Sequence, residues 1–299
     1  MITGASSFIG QALGTFLERR GHEIVRASRT AGPGMTLYDP ADTESLSTLM
    51  TERGVTHVVH LAAQKDRTLT TFALTRRLLD VNLSNTLRLA EACTRTPSFR
   101  RMIFLGTCDE YGLGSNPFHE ANREEPTSAY GLSKLAATQL LQMLHRTLGF
   151  NVVIARPSVV YGPGQSGEMF IPALLSALHS GRAFHMSSGG QQRDFLYIDD
   201  LLDGLAAMMT RPDIDGRVIN LGAGISTTLN EIVSLALSLT GASESRVTRS
   251  SEGLRQNDLA NYRVDVSAAA RYLEWHPRIG PQDGLTRTLN WLKGPSQSA

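Results

Sequence analysis

Cysteine is nearly absent from this 299-residue chain, which has only Cys93 and Cys108. Two thiols so far apart build neither a disulfide framework nor a thiolate zinc cluster, and they suit a reducing, cytoplasmic setting. Long apolar runs are also lacking, and no charged segment followed by an apolar one opens the chain, so no membrane partner is expected. Charge of one sign is missing too. Lys and Arg together number 29 against 28 for Asp and Glu, a formal net charge of +1, so no field favours nucleic acid. The length suits one large α/β unit or a nucleotide domain with a smaller lobe, and a small-molecule partner fits best.

What is present is a regular alternation of helical patterns and short apolar runs, the signature of βαβ units and a parallel sheet. The patterns predict helices over Gln11–Arg20, Thr43–Arg53, Thr75–Thr94 and Ala129–Leu148, with strands over Glu23–Ala27, His57–Ala62, Arg101–Leu105 and Asn151–Ala155. Past Tyr161-Gly162-Pro163-Gly164 the rhythm loosens. The expected fold is therefore α/β, a doubly wound parallel (Rossmann) sheet over 1–162 with a smaller C-terminal substrate lobe over 163–299, from which 194–221 returns to the sheet.

The opening "MITGASSFIG" reads as a strand-to-helix turn that receives a pyrophosphate. Gly4 and Gly10 permit close backbone approach, and the helix start offers free N–H groups from Ser6 through Ile9, Phe8 included. Ser7 stands where a middle glycine is usual, with a hydroxyl able to donate to phosphate. Only Met1 and Ile2 precede the turn, so the central first strand is expected to be cut short, and upstream residues to restore it. At the end of the second strand, Ser28 and Arg29 stand where an acidic residue would hold the ribose hydroxyls of NAD. A hydroxyl and a guanidinium suit the extra phosphate of NADP, which is preferred over NAD on this ground.

"SAYGLSK" places Tyr130 and Lys134 one helical turn apart on one face. A free tyrosine titrates near 10, and bringing it to about 7 takes roughly 4 kcal/mol of preferential phenolate stabilisation. An ammonium about 4 Å away at an effective dielectric near 20 supplies that amount. Upstream, "RMIFL" runs into Gly106-Thr107-Cys108-Asp109-Glu110-Tyr111-Gly112. With the Thr-Gly-x5-Gly turn and "VVHLAA" at Val58 to Ala63, these segments resemble, over nearly the whole chain, the extended branch of the short-chain dehydrogenase/reductase superfamily, the nucleotide-sugar epimerases and dehydratases.

The resemblance implies Tyr130 as acid/base, Lys134 lowering its pKa and holding the nicotinamide ribose, and Thr107 on the reacting oxygen. It adds Leu61, Ala62, Ala63 and Pro157 to the dinucleotide site, and implies a homodimer. It also implies a nucleoside-diphosphate sugar as substrate, with Arg193 and Arg255 as candidates for its diphosphate. Sugar dehydratases of the family carry Asp-Glu directly after the Thr; here Cys108 and Asp109 stand there, with one acid of two left to move protons. That substitution, together with Arg29, favours reduction of a 4-keto sugar nucleotide by NADPH. Epimerisation or 4,6-dehydration with a retained NAD is the alternative. Val159, where the family usually has Asn, keeps a non-sugar carbonyl substrate open, and a non-catalytic dinucleotide-binding protein is a further alternative.

Overall fold

The computed structural model describes residues 1–66, 70–250 and 261–294. Six strands are labelled here: β1 (Ile2–Thr3), β2 (Arg26–Ser28), β3 (Thr36–Leu37), β4 (His57–His60), β5 (Arg101–Leu105) and β6 (Val152–Pro157). With Val218–Leu221 on the outer edge of β6 they form one sheet in the order Val218–Leu221, β6, β5, β4, β1, β2, β3, every pair parallel. The direction of winding reverses between β1 and β4, which opens a crevice at the carboxyl ends of those two strands.

The first strand is present and spans two residues. Ile2 pairs with Arg26 on one side and Val59 on the other, and Thr3 with Ala27 and His60. The Met1 nitrogen donates to the His57 carbonyl at 2.7 Å. Because β1 offers a partner over so few residues, β2 forms at Arg26–Ser28 instead of over Glu23–Ala27. Below β1 a groove of about 370 Å³ remains between the two neighbouring strands, with Leu17, Ile24, Val25, Val55 and Met209 among its walls.

Several helices begin where a side chain caps them. Helix α1 (Phe8–Glu18) starts three residues earlier than the apolar pattern predicts because the Ser7 hydroxyl accepts the Gly10 N–H at 3.1 Å. Helix α2 (Thr43–Glu52) is capped by Asp42, and α5 (Ala129–Leu148) by Ser128, ending at left-handed Gly149. The long helix predicted over Thr75–Thr94 is interrupted: α3 (Phe72–Leu79) and α4 (Asn85–Thr94) are joined by a π turn at Asp80–Ser84. The cause is Asn82, whose buried amide turns inward to bind the Gln64 main chain and the Ser133 hydroxyl.

The chain beyond β6 contributes α6 (Phe170–His179), α7 (Ile198–Thr210), which packs on α1, β5 and β6, then α8 (Leu229–Thr240), α9 (Ser267–Leu273) and α10 (Pro281–Lys293). Its apolar faces do not make a second core. One cluster runs from Ile2, Leu13 and Leu17 on the sheet side through Leu174 and Leu201 to Ile232 and Leu285.

Candidate active site

The crevice between β1 and β4 is a cleft of about 230 Å³. Gly4, Ser6 and Ser7 line it from the turn, Ser28 and Arg29 from the end of β2, and Leu61, Ala62 and Ala63 from the end of β4. Eight of the residues read from the sequence as dinucleotide-binding thus share one surface. Gly4, at φ +67°, is required: a Cβ there would sit 2.8 Å from the Ala62 nitrogen. On Gly10 a Cβ would lie 2.4 Å from the Gly4 carbonyl oxygen, so α1 can approach the turn only without one. Phe8 and Ile9 are half-buried in the first turn of α1, where the N–H groups have no partner one turn back and face the cleft end of the helix. An open cleft, free helix N–H groups and a turn bounded by Gly4 and Gly10 fit a dinucleotide pyrophosphate.

At the β2 end, the Ser28 hydroxyl is tied to Thr30, accepting its N–H at 3.1 Å. Arg29 is exposed beside Tyr38, whose phenol is pushed up by burial and pulled back by that guanidinium. His60 is fully enclosed between the hydroxyls of Thr3 (2.6 Å) and Thr86 (3.0 Å). Burial brings it down to about 3, with Lys134 adding to the effect, so it is neutral at any working pH.

The catalytic candidates meet where α5 begins. Gly131, between Tyr130 and Lys134, packs so tightly that a Cβ would come within 2.6 Å of the Asp109 carbonyl oxygen. That contact seats the helix on the short turn Cys108–Glu110, which Thr107 caps through its hydroxyl to the Asp109 N–H at 3.3 Å. Tyr130 is buried against Leu74 and Leu78 of α3. The Lys134 ammonium lies 4.0 Å from the centre of the Phe104 ring. Burial pulls it down to about 8, and the Glu110 charge opposes that fall.

The other candidates are spread more widely. The Cys108 thiol is 4.0 Å from the Thr107 hydroxyl and packs in an apolar cluster with Tyr111, Phe118, Tyr262 and Val264, while Asp109 is half-buried. Pro157 is buried at the end of β6. Arg193 is half-buried next to Asp194, a buried carboxylate that accepts from the Ser158 hydroxyl, at 2.9 Å, and the main chain of Ala223, Gly224 and Val264. Arg255 lies outside the described residues. Sequence reasoning missed Asn82 as the link between the β4 loop and α5; the signal was a polar residue in helical register with Leu78 and Thr86. It also missed Glu110 and Arg156, a buried ion pair at 2.8 Å, for which one sequence offers no periodic signal.

Comparison with known proteins gives the family. The model of the NAD dependent epimerase/dehydratase family matches residues 1–222. The UDP-glucuronate 4-epimerase of Thermodesulfobacterium geofontis is 26% identical over 98% of this chain and 95% of its own length. The dTDP-glucose 4,6-dehydratase of Streptomyces griseus is 31% identical over 80% of this chain and 72% of its own. Among solved structures, MoeE5 in complex with UDP-glucuronic acid and NAD superposes with a TM-score of 0.86 at 29% identity, covering 98% of both chains. The UDP-glucuronic acid 4-epimerase from Bacillus cereus, in complex with UDP-glucuronic acid and NAD, gives 0.86 at 27% identity, again covering 98% of both. A crevice at the switch point, a Tyr–Lys helix seated on the Thr107 turn and these matches together place the chain among the enzymes of the NAD-dependent epimerase/dehydratase family.

Proposed function

We propose that this enzyme is a nucleoside-diphosphate-sugar 4-epimerase that keeps its nicotinamide dinucleotide bound between turnovers. The observation that carries the reading is the seating of Tyr130 and Lys134 on the Thr107 turn through Gly131 and Asp109. Relatives that span nearly the whole chain and act on UDP-glucuronate support the substrate class. The dinucleotide, when bound, supplies the hydride acceptor and donor. In this scheme Tyr130 takes the proton of the sugar C4 hydroxyl and later returns one, the Thr107 hydroxyl holds the same oxygen, and the Lys134 ammonium stabilises the phenolate. Dehydration is less supported, since the position after Thr107 holds a thiol packed among aromatic rings. Arg193 is assigned to the sugar diphosphate, with Arg255 as a second candidate. Exposed Leu87, Leu132 and Met143 on α4 and α5 support a homodimer, and two buried cysteines outside any disulfide support a reducing, cytoplasmic location.

The test is direct. Purified protein is expected to carry dinucleotide and to invert C4 of UDP-glucuronic acid or UDP-glucose without added cofactor. A 4-keto reductase using NADPH is the second reading, favoured by Arg29 and Ser28 on the cleft wall. Under that reading the protein purifies free of dinucleotide, and an NDP-4-keto-6-deoxyhexose consumes NADPH stoichiometrically. Arg29→Asp would then weaken NADPH binding about tenfold or more while sparing NADH; equal effects on both cofactors remove the ground for NADP.

A further inference from the structure

Behind Thr107 lies a carboxylate with no access to solvent. Glu110 is 0% exposed, and every described contact of its two oxygens has a direction. Oε1 accepts the Thr107 N–H at 2.9 Å. Oε2 accepts the Thr138 hydroxyl at 2.9 Å and Arg156 Nε at 2.8 Å. Thr138 stands one helical turn beyond Lys134 on the same face of α5, and Arg156 belongs to β6. One side chain therefore joins the turn that carries the reactive hydroxyl, the helix that carries Tyr130 and Lys134, and the strand beneath both. Space has been made for it: a Cβ on Gly106 would lie 2.5 Å from Oε1.

We propose that Glu110 is a positioning residue, clamping the Thr107 main chain to α5 and β6 so that Thr107, Tyr130 and Lys134 keep a fixed mutual geometry. The proposal rests on the catalytic reading of those three residues and goes beyond it. A buried ion pair is a costly way to fix a turn, and an apolar pair would pack as well; its use here fits a need for direction and charge. Arg156 supplies one of the carboxylate's three hydrogen bonds and its counter-charge, and its Nη2 also donates to Glu124 at 2.9 Å. The residual negative charge faces Lys134 and opposes the loss of its proton. Other groups around that ammonium are Tyr130 on its own helix, neutral His60 from β4 and the uncharged Phe104 ring from β5.

The chain has three lysines, Lys65, Lys134 and Lys293, so Lys134 can be followed by NMR of lysine labelled at the ε-carbon. In Glu110→Gln, which keeps an acceptor for the Thr107 N–H but removes the charge, the Lys134 midpoint should fall by about one pH unit. The kcat for UDP-glucuronic acid should fall tenfold or more, its basic limb moving down by the same amount, with KM and NADH affinity within about threefold of wild type. Should Glu110→Gln not fold, Thr138→Val, which frees only the helix end of the clamp, should lower kcat several-fold at unchanged KM. A Lys134 titration and pH profile that coincide with wild type in Glu110→Gln, or undiminished kcat in Thr138→Val, overturn the proposal. A shifted Lys134 midpoint in a protein that turns over no UDP-sugar leaves the clamp standing and removes the assigned function.

Discussion

Lys134 has the sharpest pH signature of any single residue here. Its ammonium is held at about 8, so a rate that needs the charged form falls as pH rises through that value. A kcat profile flat to pH 10 would contradict the assignment. Tyr130→Phe should lower kcat by about 10²–10⁴ at nearly unchanged NADH affinity, since the hydroxyl serves proton transfer, whereas Lys134→Met should damage both. His60 makes a separate claim on stability. Its folded value of about 3 lies below the ordinary imidazole value of about 6.5, so the unfolded chain binds the extra proton between those limits. Stability is therefore full above about pH 6.5 and drains away as pH falls toward 3, at up to about 1.4 kcal/mol per unit. His60→Gln should flatten that slope in urea titrations at pH 4 and 7. At this scale the sequence was informative where chemistry and spacing coincide, as at Tyr130 and Lys134. It was silent where a role depends on enclosure: nothing local to Glu110 or His60 tells that either is buried.

Among elements, the junction of α5 with the Cys108–Glu110 turn decides the geometry, and Gly131 is its thinnest point. Gly131→Ala introduces a methyl 2.6 Å from the Asp109 carbonyl oxygen, and main chain on both sides leaves little room to yield. A cost of about 1–3 kcal/mol is expected, with kcat reduced more than KM raised. A variant with wild-type melting and kcat would show the contact to be loose. Helix α5 was legible in full because Ser128, its apolar face and Gly149 mark both ends. The α3–α4 rod was legible as helix but not as two helices, because the π turn is imposed by Asn82 reaching partners in two other segments. Strand β2 starts three residues later than expected for a related reason: β1 begins at Ile2, whose N–H reaches the Val25 carbonyl, and leaves Glu23 and Ile24 with no strand beside them.

For the molecule as a whole, the central weak place is the groove beneath β1. An engineered chain with three apolar β-formers, such as Val-Ala-Val, added ahead of Met1 would keep an amide N–H directed at the His57 carbonyl while laying side chains against Leu17, Val25 and Val55. Burying them should add about 2 kcal/mol, read as a Tm higher by a few degrees; an unchanged or lower Tm would show that the groove does not accept a strand. Parallel pairing was legible from the alternation of patterns; the order of the strands and the short β3 at the edge were not. The way the lobe joins the sheet was not, since contacts such as those of Leu13 with distant helices leave no trace in local sequence. That joint core has a further consequence. Because Ile232 in α8 and Leu285 in α10 belong to the same apolar cluster as Leu13 in α1, the lobe cannot loosen without uncovering the apolar face of α1. A destabilising change far out in the lobe would therefore reach the sheet-side core and lower the amount of folded enzyme.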